Sequence, residues 1–342
     1  MKFLAFLFLL NGCYVTRLAL HQNDLFNARR PLDEVIDDPV TSEKVRLHLK
    51  MARRIMQFAT RQGLNTEGAY RYFVDTKEPV VSYIVQAAEP DRLESRTWWF
   101  PVVGRVPYLG FFTKSERDAE GANLRAEGLD VHDSAASAFS SLGWFEDPLF
   151  SSMIARGEAD LAHLLLHELT HRTYWSSGSV QFNENLAEYS GIELTKLYLS
   201  EVGSSEDINR FSAKLADRRL FKIWLESLRK NLEGLYGQIP SPPTTLILGK
   251  KAEMFAKFQQ PPLRPKFALF DFVKGEDWNN ATVLANSLYL PDTDMFAKAH
   301  ACLKAPRMID FLNELQRLTD VSGGDPFKAL KDMCGSTIRA PM

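Results

Sequence analysis

The sequence predicts an α+β protein in which a small mixed β-sheet precedes a mainly α-helical C-terminal part. Between residues 69 and 112, segments rich in Val, Tyr, Phe and Trp alternate with Pro and Gly, as is typical of short strands. From Gly157 onward, apolar residues recur mostly at helical spacing. The chain has 342 residues, of which 45% are hydrophobic, so its apolar side chains suffice for a core between sheet and helices.

Charge and composition exclude several classes of protein. The net charge is −2, and no long run of Lys or Arg is present that would hold nucleic acid or coat an anionic membrane. The composition is that of an ordinary globular protein and not of a fibre or a disulfide-dense small scaffold. The sequence therefore predicts no nucleic-acid partner, and it predicts no protein partner.

The N-terminus resembles that of an exported bacterial lipoprotein. Lys2 precedes an apolar run over residues 3–10, which is much too short to cross roughly 30 Å of hydrocarbon. The run ends in Leu-Asn-Gly-Cys13, which is similar to a lipobox, where the signal is cut off and the cysteine receives lipid. We expect a signal peptide over residues 1–12, lipid on Cys13, and a protein anchored in the periplasm or cell envelope. Secretion without lipid and an uncleaved, packed N-terminus are the alternatives.

The remaining elements follow in chain order. Residues 13–40 are expected to form a linker with a short helix and a stalk-like stretch broken by Pro31 and Pro39. A helix is predicted over 41–62, with Gly63 as its stop, and a tight hairpin turn at Gly104-Arg105. The predicted strands cover 69–74, 80–87, 97–103, 106–112, 129–131 and 138–142, and another helix covers 115–128.

A metal-binding motif stands out in the helical region. His167-Glu168-Leu169-Thr170-His171 is an HExxH sequence among apolar leucines, as in a buried helix. Histidines four positions apart project from one helix face, so both imidazoles can reach one Zn²⁺ ion at roughly 2.0–2.1 Å. Glu168 lies beside the first histidine, in the position of a general base that takes a proton from a water activated by the metal.

A second helix is expected to supply the third ligand. Asn183 is a suitable N-cap for a helix that runs to about residue 202, and Glu184 would then lie in its first turn. Glu188 follows four positions later on the same face. We assign Glu184 as the third zinc ligand and Glu188 as the carboxylate that accepts a hydrogen bond from a ligand histidine.

This pair of motifs resembles the gluzincin metallopeptidases. In that group an Asn-Glu-x-x-x-acid sequence follows HExxH, and its two acids have the roles assigned here to Glu184 and Glu188. The resemblance implies a zincin-like catalytic part over 41–203 and a helical part over 204–342. One departure is that only 12 residues separate His171 from Glu184, so Ser176-Ser177-Gly178 must turn the chain quickly.

Longer segments resemble the bacterial family named "Putative aminopeptidase". They are RPLDEVIDDP, TWWFPVVGRVPYLGFF, SLGWFEDPL, HELTH, FNENLAEYSG, NNATVLANSLYL and GGDPF, in this order. The resemblance implies an exported zinc aminopeptidase with one Zn²⁺ per chain and short peptides as substrates.

The rest of the site is predicted from position in the sequence. Gly143 and Trp144, just upstream of HExxH, are candidates for a strand that binds the substrate backbone. Glu146 or Asp147 is a candidate for binding the free amino group of the substrate. The alternatives are a core strand with a glycine bulge for Gly143 and Trp144, and a solvated turn before Pro148 for the two acids. Tyr289 is the candidate oxyanion donor. Tyr198 and His300 are further candidates for that role, and His163 would lie near the metal face.

Several alternatives stay open at this stage. The chain could be an endopeptidase acting on envelope proteins, a non-catalytic envelope factor that holds zinc for structural reasons, or a scaffold without metal. A fourth protein ligand such as His163 would favour the structural role, because catalytic zinc sites keep one position open. Cys302 and Cys334 could form a disulfide or remain free thiols.

Overall fold

The predicted α+β class is confirmed. A computed structural model describes residues 27–76, 80–100, 104–136, 146–155, 157–237, 245–259, 273, 275–288 and 293–333. In this part of the chain, helices predominate and three small sheets precede most of them. The expected signal peptide, Cys13, Cys334 and the strand expected at 138–142 lie outside the described residues.

The strands form three separate sheets instead of the single expected one. The first is mixed, with β2 (Tyr72–Val74) antiparallel to β1 (Arg30–Pro31) and parallel to β8 (Leu149–Phe150). The second is antiparallel, with β3 (Ser82–Ala88) between β6 (Leu109–Phe111) and β7 (Asp130–Ala136). The third is the pair β4 (Trp98–Phe100) and β5 (Gly104–Val106).

The helices of the described residues are α1 (Leu32–Asp37), α2 (Glu43–Arg61), α3 (Lys114–Ala126), α4 (Ser151–Ile154), α5 (Glu158–Thr173), α6 (Val180–Val202), α7 (Ser205–Tyr236), α8 (Thr245–Phe258), α9 (Asn280–Leu288), α10 (Thr293–Leu303), α11 (Met308–Val321) and α12 (Pro326–Asp332). None of these helices combines the length and the apolar character needed to cross a membrane.

The main core surrounds α5, the helix that carries HExxH. Four of its leucines, Leu161, Leu165, Leu166 and Leu169, are fully buried and belong to one core cluster with apolar residues of α2, α6 and α11 and of the first sheet. The second sheet instead packs against α3 and α9. The expectation of one sheet lying on the HExxH helix was therefore wrong in part, because helices supply most of the neighbours of α5.

Two local predictions are corrected. Gly104 and Arg105 belong to strand β5, paired with β4, and are not the turn of the hairpin. The stretch expected to be a stalk contains β1 and helix α1. Leu32, Val35 and Ile36 of α1 are buried in the main core. Pro31 is the N-cap of this helix and Pro39 follows its C-cap, so neither proline interrupts it.

Candidate metal centre

Helix α5 presents His167 and His171 from a rigid support. The apolar face of the helix, with Leu161, Leu165 and Leu169 fully buried, fixes its position in the core. His171 is buried, whereas His167 and Glu168 are partly buried. The two imidazoles lie one helical turn apart, with their Nε2 atoms 3.2 Å from each other.

Helix α6 begins earlier than the sequence predicted. Its first residue is Val180 and its N-cap position is Ser179, so Asn183 is not the N-cap and Glu184 lies beyond the first turn. The amide of Asn183 has another function. Its Oδ1 accepts a hydrogen bond from the Ser176 N–H at 2.9 Å, and its Nδ2 donates to the Ser176 carbonyl at 2.8 Å. These two bonds fix the short connection between α5 and α6.

Gly191 allows the two helices to approach closely. A Cβ atom at this position would lie 3.3 Å from the Cβ and backbone N of His167 and 3.3 Å from Cδ2 of His163. A larger residue would therefore push α6 away from the part of α5 that carries the first histidine. The close approach brings the carboxylates of α6 within reach of the imidazoles of α5.

His167, His171 and Glu184 place three possible metal ligands together. Glu184 Oε2 lies 3.5 Å from His167 Nε2, and Glu184 Oε1 lies 3.6 Å from His171 Nε2. Ligands of a tetrahedral zinc ion at roughly 2.0–2.1 Å from the metal are about 3.3 Å apart. The separations of 3.2–3.6 Å thus fit a single zinc ion, and the donor set of two imidazoles and a carboxylate is one that zinc accepts.

Glu188 lies behind His167. Its Oε2 is 3.5 Å from His167 Nδ1, the ring nitrogen opposite the one that faces Glu184. The same oxygen lies 3.3 Å from His163 Nε2. Within the described residues, His163 does not join the group of possible metal ligands, and it faces Glu188 instead.

The site strongly perturbs its titratable groups. Burial lowers the pKa of His171 to about 4. Burial also disfavours a charged His167, but hydrogen bonds to Glu184 and Glu188 raise the pKa of His167 to about 10. Burial opposes ionisation of Glu184 too, yet the two histidines hold its pKa below the usual range. In the absence of metal, the site therefore favours one protonated histidine between carboxylates.

Glu168 has an environment different from that of Glu184. Burial raises the pKa of Glu168 to about 7; the attraction of His167 opposes this rise, and repulsion from Glu184 and Asp147 adds to it. In the described part of the chain, Glu168 does not belong to the group of possible metal ligands. A carboxyl group with a pKa near neutrality is suited to accept and return protons.

A buried ion pair supports the end of α5, and sequence reasoning missed it. Arg172 Nη1 lies 2.9 Å from Asp147 Oδ2, and both side chains are almost fully buried. Arg172 also donates to the Glu67 carbonyl at 2.6 Å, and the Tyr70 N–H donates to the Asp147 carbonyl at 2.8 Å. Asp147 was expected, as an alternative to Glu146, to bind the amino group of the substrate, but its carboxylate pairs with Arg172 instead. Only the arginine directly after HExxH, within a leucine-rich helix, could have pointed to such a pair.

The structure describes only some of the other residues predicted to bind substrate or to stabilise the oxyanion. Gly143, Trp144 and Tyr289 lie outside the described residues. Glu146 is exposed, and its side chain lies against Gly68. The Tyr198 hydroxyl donates to Glu158 at the start of α5, and His300 Nδ1 lies 2.9 Å from the Tyr189 hydroxyl. These contacts give Tyr198 and His300 structural partners.

A family model described as "Putative aminopeptidase" matches residues 13–329. The match includes α5 and α6 with all the residues of the candidate metal centre and extends over most of the C-terminal helices. No curated protein and no solved structure matches the chain.

Proposed function

Because the chain belongs to the "Putative aminopeptidase" family, we propose that it is a zinc-dependent aminopeptidase of the gluzincin type that acts on short peptides. The family indicates peptide hydrolysis. The observation that supports zinc is the group of three ligand atoms on α5 and α6, separated by 3.2–3.6 Å.

His167, His171 and Glu184 would hold one zinc ion per chain. When bound, zinc supplies a Lewis acid that polarises the peptide carbonyl and lowers the pKa of a water to near neutrality. Among the described residues, no fourth side chain joins the three ligands. This supports a catalytic site, since structural zinc sites have four protein ligands.

Glu168 would transfer the proton. It follows the first ligand in the sequence, is partly buried, and has a pKa raised to about 7. It accepts the proton of the attacking water and later delivers it to the leaving amine. Glu188 would hold His167 in the tautomer that leaves Nε2 available to the metal.

The proposal includes the compartment and the architecture. Residues 41–203 would form the zincin-like catalytic part and residues 204–342 the helical part. Cys302 is disulfide-bonded, which supports an oxidising compartment such as the periplasm. The lipobox-like sequence supports an anchor at Cys13, with residues 1–12 removed.

Cleavage of a mixed peptide library by the zinc-loaded chain, read by mass spectrometry, tests the function. We expect ladders that shorten from the N-terminus. These should be lost in Glu168→Gln, which keeps zinc, and in Glu184→Ala, which binds zinc more weakly. Glu253→Gln is the matched control, because this glutamate is exposed on α8.

Internal cuts lost in Glu168→Gln would replace the aminopeptidase with an endopeptidase. The proposed mechanism would be contradicted if Glu168→Gln still cleaved peptides. It would also be contradicted if the zinc-loaded parent chain cleaved none.

A further inference from the structure

We propose that Arg218 of α7 is a positioning residue of the metal centre. Arg218 fixes the carboxylate of Glu188, and this carboxylate orients the imidazole of His167 for zinc binding. The inference rests on the proposed function, because it assigns His167 as a zinc ligand. It extends the site from α5 and α6 to a third helix.

The two oxygens of Glu188 have separate partners. Oε1 lies 2.5 Å from Arg218 Nη1, whereas Oε2 faces Nδ1 of His167 at 3.5 Å and Nε2 of His163 at 3.3 Å. A carboxylate with one oxygen held by a guanidinium has its second oxygen fixed in direction. That oxygen is the one that points at the ring of the proposed zinc ligand.

Burial makes the arginine necessary for this arrangement. The side chain of Glu188 is 9% exposed and that of Arg218 is 26% exposed, so neither is an ordinary surface charge. A buried carboxylate needs charged or hydrogen-bonding partners. Without Arg218, Glu188 would retain the imidazoles of His163 and His167 as its charged or hydrogen-bonding partners among the described residues, and its orientation would no longer be set from the side of α7.

The consequence for His167 follows from the chemistry of imidazole. A histidine that binds metal through Nε2 carries its proton on Nδ1, and a carboxylate acceptor at Nδ1 selects this tautomer and fixes the ring plane. Arg218 therefore acts on the metal through two side chains, Glu188 and then His167. It is not expected to touch the substrate or the reacting atoms.

The surroundings of Arg218 provide a matched control. Arg218 and Arg219 both line a cleft of about 620 Å³ between α6, α7 and α10, together with Lys222 and Glu226. Arg219 is exposed and has no ion pair with Glu188 among the described contacts. Replacing Arg219 removes the same charge from the same cleft but leaves the pair with Glu188 intact.

The test measures zinc affinity of the mature chain by competition with a chromophoric chelator. The variants are Arg218→Met, Arg218→Lys, Arg219→Met, Glu188→Gln and the double variant Arg218→Met/Glu188→Gln. We expect Arg218→Met to weaken zinc binding about 10-fold, as does removal of other residues that support a metal ligand without touching the metal. Arg218→Lys should restore part of the affinity, and Arg219→Met should leave it unchanged. The double variant should bind zinc no more weakly than Glu188→Gln.

Thermal unfolding of the metal-free variants tests whether each is folded. If Arg218→Met is not folded, Arg218→Gln is used in its place. If the parent binds zinc and Arg218→Met binds it equally well, the inference is wrong while the proposed function stands. Fully additive losses in the double variant would also overturn the inference, since Arg218 would then act independently of Glu188. A parent chain that binds no zinc would overturn both.

Discussion

His167 and His171 belong to one motif but have opposite electrostatic environments. Burial lowers the pKa of His171 to about 4, so it is neutral at physiological pH and ready to bind metal. For His167, burial is outweighed by hydrogen bonds to Glu184 and Glu188, and the pKa rises to about 10. Zinc must therefore displace a proton from His167 but not from His171.

This difference predicts that zinc binding near pH 7 releases protons, which calorimetry in buffers of different ionisation enthalpy measures. Because the proton on His167 competes with zinc, the apparent affinity should rise from about pH 6 to about pH 8. Affinity that stays constant over this range would show that His167 is already neutral in the free protein.

Among individual residues, the sequence predicted those that stand in a spaced motif. His167, Glu168 and His171 are related by the helical repeat, and Glu184 and Glu188 by a second one, so their geometry is local. The pairing of Arg218 with Glu188 and that of Asp147 with Arg172 could not be found in this way. Their partners come from elements far away in the sequence, and such pairs depend on how helices pack in three dimensions.

Among the elements, the crossing of α5 and α6 determines whether the ligands meet. Gly191 lies at this crossing, where an added Cβ would be 3.3 Å from atoms of both His163 and His167. The sequence predicted that both segments are helical but gave no information on the separation of the two helices. It also misplaced the start of α6, because Ser179 and Asn183 are both good N-cap residues and packing of the connection decided between them.

Gly191→Val should therefore separate the helices at the metal site. We expect a loss of about 1–3 kcal/mol in the free energy of unfolding, as for other overpacked positions, together with weaker zinc binding. Gly234→Val is the control, since Gly234 is exposed on α7 and nothing lies within 4 Å of an added Cβ there. Urea unfolding and zinc titration measure the two effects. If both substitutions lowered the free energy of unfolding and the zinc affinity equally, the close packing of α5 against α6 at Gly191 would be contradicted.

At the scale of the whole molecule, buried polar contacts join the second sheet to the C-terminal helices. Asn280 of α9 is fully buried, and its Nδ2 donates to the carbonyls of Glu89 at 2.8 Å and Arg92 at 3.2 Å. Its Oδ1 accepts from the Tyr236 hydroxyl of α7 at 2.7 Å. The sequence predicted a sheet followed by helices, but it could not show that this asparagine connects them.

Asn280→Ala should destabilise the fold without disturbing the metal centre. A buried polar group left without a partner costs about 1–3 kcal/mol. Because Arg92 is exposed and Glu89 and Tyr236 are only partly buried, water replaces part of the three lost hydrogen bonds, and we expect a total loss of about 2–4 kcal/mol. Urea unfolding measures this loss, with Asn231→Ala as the control, since Asn231 is exposed and donates to the Ser227 carbonyl within its own helix. A zinc affinity that falls along with stability would contradict the separation between this network and the metal centre.

X-ray absorption spectroscopy at the zinc edge of the loaded chain tests the central claim, that His167, His171 and Glu184 form an open zinc site. We predict two imidazole nitrogens and additional oxygen ligands, with distances of about 2.0–2.2 Å. In Glu184→Ala, the signal of the two imidazoles should persist while zinc is bound more weakly. A third imidazole, which would place His163 on the metal, or a sulfur ligand would contradict the proposed catalytic site.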